Sequence, residues 1–222
     1  MSQNHLKHIA AEAALAYLSN IEIIGIGTGT TVNFLIDLIG KNRKKIKAAV
    51  ASSIVSAEKL KQQGIKVIDL DSVSELPIYV DGADEINPRL QMIKGGGGAL
   101  TREKILASAS QKFICIADHS KLVERLGSFP LPVEVIPMAR NYVTRKISAL
   151  GGQPMTRKGI TDNGNIIIDI HNLNIQNPSE LEAEINQIAG VVCCGLFTQR
   201  PADILLLATE TGVKTLFPRN QS

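Results

Sequence analysis

The chain has no tryptophan, and aromatic residues make up only 4% of its 222 positions. A core built mainly on aromatic rings is therefore excluded. Burial must come from aliphatic side chains, and the apolar share of 44% is ordinary for a globular protein of this length. Cysteine is also scarce. The three present are an odd number without zinc-ligand spacing, so neither a disulfide framework nor a zinc site is indicated. Cys193 and Cys194 are neighbours on an expected strand, where their side chains point to opposite faces, and Cys115 lies in the apolar run FICIA. All three read as small core residues. No apolar run is long enough to span a bilayer. The opening MSQNHLKHIAAEAALAYL has His and Lys on its apolar face and no continuous signal-peptide core, so the expected location is the cytoplasm. Charge of one sign is missing too: 24 Lys and Arg against 21 Asp and Glu leave +3. The basic run KNRKKIK, 41–47, lies between a helix pattern and a strand pattern and reads as a solvated connection. With no nucleic-acid reading module in sight, neither nucleic acid nor membrane is an expected partner.

What the sequence does have is alternation. Residues 5–19 carry apolar side chains on one helical face. Then come the strand 21–26, the turn GTGTT, a helix over 32–39, a strand from 48, a helix over 54–63 closed by Gly64, and strands over 66–70 and 76–81. A helix over 100–110 and the strand 112–117 follow. Strands alternating with helices predict a Rossmann-like parallel sheet, and in such sheets ligands collect beyond the carboxyl ends of the strands. GTGTT, SSIVS, DGADE and DHSK all follow expected strands directly. Near Ser128 the pattern changes. A proline-flanked strand, a helix over 139–150, a strand at 154–157, the hairpin turn Asp162-Asn163-Gly164-Asn165, the strand 166–170, a helix opened by Asn177-Pro178 and the strand VVCCG follow one another. The order β-α-β-β-α-β is that of a ferredoxin-like α+β unit. The expected organisation is a Rossmann-like domain of residues 1–128 plus 199–222, with a ferredoxin-like domain of residues 129–198 inserted before a last strand over 203–209.

Chemistry concentrates in the stretch 79–105, YVDGADEINPRLQMIKGGGGALTREKI, and in GIGTGTT at 25–31. Glycines between a strand and a helix let backbone N–H groups converge on an anion, and Thr28, Thr30 and Thr31 add hydroxyls. The plain alternative is a tight turn with a threonine cap. A dinucleotide fits poorly, since Thr30 and Val32 occupy the third-glycine positions and Lys45 stands where a ribose-binding acid belongs. A small phosphate fits best. Asp81 and Asp84 suit general acid–base work, sugar-hydroxyl binding or a magnesium site, and sequence alone leaves these open. Lys94 and Gly95 to Gly98 suit a developing oxyanion, an effect of roughly 3 kcal/mol per well-placed donor. Glu103 stands at the start of a helix, where acids are also favoured simply by the dipole. Lys7 and Lys121 suit phosphate or hydroxyl contacts, although solvated lysines would look the same.

GIGTGTT, SSIVSAEKL, YVDGADEINP, MIKGGGGALTREKI, ICIADHSK, FPLPVEVIPMA and TDNGNIIID, in this order along nearly the whole chain, resemble the ribose-5-phosphate isomerase A family. The resemblance implies interconversion of ribose 5-phosphate and ribulose 5-phosphate in the pentose phosphate pathway, no cofactor, and a homodimer or larger assembly. It weighs against magnesium at the acidic turn. It implies Glu103 as proton acceptor. It gives Lys7, Thr28, Gly29, Thr30 and Thr31 to the phosphate, and Asp81, Gly82, Ala83, Asp84, Lys94, Gly95, Gly96, Gly97 and Lys121 to the sugar. Asp81 would relay hydroxyl protons or help ring opening, and Asp84 would orient Lys94 and bind hydroxyls. Polar residues are common in the family where Ile54 and Val55 stand, so neither is given a substrate role. The competing readings are a sugar-phosphate sensor domain and a sugar-phosphate hydrolase or deaminase of related architecture.

Overall fold

The structure, a computed structural model, describes residues 1–42 and 46–219; Lys45 and the centre of the basic run 41–47 lie outside them. Along the chain come α1 (Gln3–Ala14), β1 (Ile23–Ile26), α2 (Thr30–Lys41), β2 (Ala48–Ala51), α3 (Ile54–Gln62), β3 (Lys66–Val67), β4 (Leu76–Asp81), β5 (Glu85–Ile86), β6 (Met92–Ile93) and α4 (Leu100–Ala109). They are followed by β7 (Ser110–Asp118), β8 (Leu131–Val135), α5 (Arg140–Ala149), β9 (Gln153–Thr156), β10 (Ile166–His171), α6 (Pro178–Asn186), β11 (Val191–Cys194), β12 (Leu196–Phe197), β13 (Ile204–Thr209) and β14 (Gly212–Leu216). Two compact units result, one of residues 1–83, 102–121 and 202–222, the other of 84–101 and 122–201. This division differs from the expected 1–128 plus 199–222 against 129–198. Segments 84–101 and 122–128 group with the second unit because β6 pairs with β12, Ile86 bridges Leu122, and buried Glu85 accepts from the Gly127 and Phe129 N–H groups.

The first unit is a seven-stranded sheet in the order β14-β13-β7-β4-β1-β2-β3, parallel throughout except for β14. β13 returns to the parallel sheet as expected; the sequence reading lacked β14, which follows it as a hairpin partner. One face carries Ile24, Ile26, Ile78, Val80, Ile114 and Ile116 against the apolar faces of α1 and α2. Strand alternation sends Tyr79, Asp81, Phe113 and Cys115 to the other face, and all four are buried. Burial on both sides explains why these strands read as continuous apolar runs. Local signals set the ends of the elements. Ser2 and Ser53 cap α1 and α3 by accepting from the His5 and Ser56 N–H groups, and Gly64, at φ +72°, turns the chain after α3.

The second unit contains β8-α5-β9-β10-α6-β11. Its antiparallel sheet runs β11-β8-β10-β9, the ferredoxin-like arrangement, with Val133, Val135, Val143, Ile147, Ile168, Ile170 and Ile185 in its core. A further small sheet, β12-β6-β5, carries Lys94 at the end of β6.

Candidate active site

In the first unit, functional side chains gather where β1, β2 and β4 end. β1 runs into Gly27-Thr28-Gly29, and α2 starts directly after Gly29, whose φ of +128° a side chain rarely tolerates. No side chain caps the first turn of α2 from that position, and a helix start of this kind favours negative charge near its N–H groups. Thr28 looks inward. Its hydroxyl donates to Ser53 Oγ at 2.8 Å and lies 2.9 Å from Ser52 Oγ; Ser53 donates to Ser56, and Ser56 to the Gly27 carbonyl at 2.7 Å. Three buried serines thus tie the end of β2 to the turn after β1.

Asp81, fully buried, is held by three donors. Oδ1 accepts from the Thr28 N–H at 3.0 Å and the Gly82 N–H at 2.7 Å, and Oδ2 accepts from the Tyr79 hydroxyl. A Cβ on Gly27 would sit 1.9 Å from the Asp81 carboxyl carbon, so only glycine leaves room for this side chain. The Tyr79 ring is fully buried against Phe113, 4.9 Å away. Its phenol is pushed well above the ordinary tyrosine range by burial first, then by the nearby negative charges of Asp81 and Glu103 and by its bond to Asp81; a hydrogen bond with Ser52 pulls the other way. Tyr79 therefore stays a proton donor at neutral pH. Glu103 lies in the first turn of α4, and only 2% of it is exposed. Lys7 on α1 and Lys121 after β7 are half-buried, and the structure gives neither a hydrogen bond or ion pair among the described residues. Among those residues, no group of three or more His, Cys, Asp and Glu is placed to hold a metal ion.

In the second unit, Lys94 is buried, its backbone N–H bonds the Gly195 carbonyl at 2.9 Å, and its ammonium sits 5.5 Å from the Phe197 ring centre. The glycine loop after it turns on Gly95 and Gly98, at φ +108° and +80°. Asp84 is fixed by its own N–H on the Ile93 carbonyl, and its Oδ2 accepts from the Gly96 N–H at 2.8 Å. The Gly96 N–H, which the sequence reading grouped with the sugar site, is engaged by Asp84 in this structure. On the far side of the loop, Arg157 Nη1 donates to the carbonyls of Gly95 at 3.0 Å and Gly96 at 3.2 Å.

The structure thus brings Thr28, Asp81 and Gly82 together in one unit and Asp84, Lys94 and Gly95 to Gly97 in the other; Ala83 is the last residue of its segment in the first unit. Sequence reasoning passed over Ser52, Ser53, Ser56, Tyr79 and Arg157. SSIVS was visible as a polar motif at a strand end. Tyr79 headed the marked stretch 79–105 without being given a role, and nothing local marked Arg157.

A parallel sheet with an uncapped helix start, a glycine–threonine turn and buried carboxylates at its strand ends defines the class, an α/β enzyme with acid–base groups. The pattern of the family described as ribose 5-phosphate isomerase A (phosphoriboisomerase A) matches residues 48–212. The chain is similar to ribose 5-phosphate isomerase A from Neisseria gonorrhoeae at 54% identity, covering 99% of each chain, with a TM-score of 0.96. It is similar to ribose 5-phosphate isomerase A from Methanocaldococcus jannaschii at 39% identity, covering 97% of this chain and 100% of that one, TM-score 0.92. A D-ribose-5-phosphate isomerase in complex with phospho-erythronic acid is 37% identical, with 98% and 100% covered and a TM-score of 0.93. The chain belongs to the ribose 5-phosphate isomerase A family and is an aldose–ketose isomerase.

Proposed function

We propose that this chain interconverts D-ribose 5-phosphate and D-ribulose 5-phosphate through an enediolate, within the pentose phosphate pathway, with Glu103 moving the proton. The observation that supports this role most directly is a carboxylate removed from solvent in the first turn of α4 and close enough to Tyr79 to raise its pKa. In the forward direction the Glu103 carboxylate takes the proton from C2 of the open-chain aldose. The C2–H electron pair becomes the C1=C2 bond, and the carbonyl π pair moves onto O1. The O2 proton then passes to O1, the O2–H electron pair re-forms a carbonyl at C2, and the C1=C2 pair takes the proton back from Glu103 at C1.

In this reading the phosphate is taken by Thr28, Gly29, Thr30 and Thr31 at the start of α2, with Lys7. Lys121 and the Asp81-Gly82-Ala83-Asp84 turn hold sugar hydroxyls. Lys94, with Gly95 and Gly97 and with Gly96 tying the loop to Asp84, carries the negative charge that develops on oxygen. Asp81 acts as a fixed acceptor, and Asp84 orients the glycine loop. Support for one shared ligand is chain continuity for part of the set, because Asp81, Asp84, Lys94, the glycine loop and Glu103 all come from the single stretch 79–105. The relative solved with phospho-erythronic acid supports a phosphorylated ligand of this size.

Ketose formation from ribose 5-phosphate is the direct assay, and it also separates this reading from a sensor domain or a hydrolase. Glu103→Gln is expected to lower kcat by about 10²- to 10⁴-fold while phospho-erythronic acid still binds. Near-normal turnover in that variant would remove Glu103 from the role. The reading includes a cytoplasmic location, which three buried free cysteines suit, and a homodimer. A sedimentation mass of a single chain at micromolar concentration contradicts the dimer.

A further inference from the structure

Arg157 links the ferredoxin-like sheet to the glycine loop by hydrogen bonds. Arg157 follows β9, and its own N–H bonds the Ile167 carbonyl at 2.8 Å. One edge of its guanidinium is locked on Asp169 of β10, with Nε to Oδ2 at 2.8 Å and Nη2 to Oδ1 at 2.5 Å. That bidentate pair fixes the plane of the fork. The remaining nitrogen, Nη1, spans the carbonyl oxygens of Gly95 and Gly96.

The consequence follows from peptide geometry. In a trans peptide the carbonyl and the next N–H point in opposite directions, and the described residues contain no cis peptide. Pinning the Gly95 carbonyl on Arg157 turns the Gly96 N–H to the other side, where it meets Asp84 Oδ2. Pinning the Gly96 carbonyl on the same nitrogen likewise turns the Gly97 N–H away from Arg157, on a loop whose tip, Gly96 and Gly97, is exposed. Glycine has no side chain to limit its backbone, so four in a row would otherwise sample many peptide orientations. We propose that Arg157 is a positioning residue for the isomerisation. Held by Asp169, it sets the two glycine peptides so that the Gly97 N–H is presented to the reacting oxygen of the sugar. This assigns the ferredoxin-like sheet a part in turnover, and it rests on the isomerase reading above.

The test compares Arg157→Met, Arg157→Lys and Asp169→Asn with the unaltered chain, measuring kcat and KM for ribose 5-phosphate alongside thermal midpoints. Removing an oxyanion donor outright lowers kcat by about 10²- to 10³-fold, and misaligning one is expected to cost about 10- to 100-fold. Arg157→Met should show that loss in kcat with KM within about threefold. Arg157→Lys, which keeps the charge without the fork, should recover only a small part, and Asp169→Asn should fall between. Millimolar methylguanidinium added to Arg157→Ala should restore turnover without moving the midpoint, a response that a purely structural role would not give. Loss that merely tracks the unfolded fraction, a change confined to KM, or absence of rescue each overturns the inference. If Arg157→Met does not fold, the kcat and KM of Asp169→Asn decide in its place. An active unaltered chain with indifferent variants refutes the positioning role alone, whereas an inactive unaltered chain refutes the isomerase reading and this inference with it.

Discussion

Asp81 shows how much one side chain organises. It fills the space that a Cβ on Gly27 would need, accepts from the Thr28 and Gly82 amides, and accepts a hydrogen bond from the Tyr79 hydroxyl. A carboxylate so engaged is a fixed acceptor, which suits anchoring the glycine–threonine turn after β1. Glu103 stands in a different position, buried at a helix start where an acid is welcomed by the dipole. Tyr79 connects the two, because both charges act on its phenol. Tyr79→Phe removes a buried donor and leaves an Asp81 oxygen short of a partner, which costs about 1–3 kcal/mol. Chemical unfolding should register that loss at neutral pH, and turnover should fall as the Thr28 turn loosens. A variant as stable and as active as the unaltered chain would show that the phenol is incidental to Asp81.

At the scale of elements, β8 is the least expected. All five residues of LPVEV are buried, and the fourth is an acid. Glu134 is tolerated because four side chains converge on it: Thr101 from the first turn of α4, Thr161 at 2.7 Å, Asn163 at 3.1 Å and Asn165 at 2.9 Å. The D-N-G-N hairpin thus does more than reverse the chain, since its asparagines solvate a buried carboxylate. Burial, the largest influence, pushes the Glu134 pKa up, but the hydrogen bonds outweigh it, and the carboxyl is held below its ordinary 4.5. Since the folded value is the depressed one, the stabilisation is fully present above the unfolded value and disappears as pH falls through the folded value. Glu134→Gln should therefore destabilise the chain by at least about 2 kcal/mol at pH 7. The gap from the unaltered chain should narrow in acid, below about pH 4.5. Urea unfolding at the two pH values checks this, and a gap that does not change with pH would contradict the depressed carboxyl.

For the molecule as a whole, what was legible in the sequence was what is local. β4 falls at residues 76–81, the glycine–threonine turn sits between a strand and a helix, Pro178 opens α6, and the β-α-β-β-α-β order holds. The three-residue step from Asp81 to Asp84 was visible, but not that the chain passes from one unit to the other at that step. That passage depends on β6 finding β12, far along the chain. The hydrogen-bond partners hidden from a linear reading are distant as well: Thr28 and Asp81 are 53 residues apart, and Arg157 and Gly95 are 62 apart. Residue types announce such groups only when a motif surrounds them; Arg157 has none, and Tyr79, at the head of its motif, reads as an ordinary strand residue. If these dispersed groups serve one ligand, binding must register in the stability of the whole chain. A ligand that binds only the folded form at about 100 times its Kd stabilises by about 2.7 kcal/mol, which for a chain of this size raises the melting midpoint by roughly 5–10 °C. Ribose 5-phosphate added to Glu103→Gln, where turnover does not deplete it, should give that rise. Inorganic phosphate, able to occupy only the Thr28–Thr31 turn, should give a smaller one. Equal shifts from the two would mean that the carboxylates, Lys94 and the glycine loop add nothing to binding, and no shift from either would remove the phosphate from the start of α2.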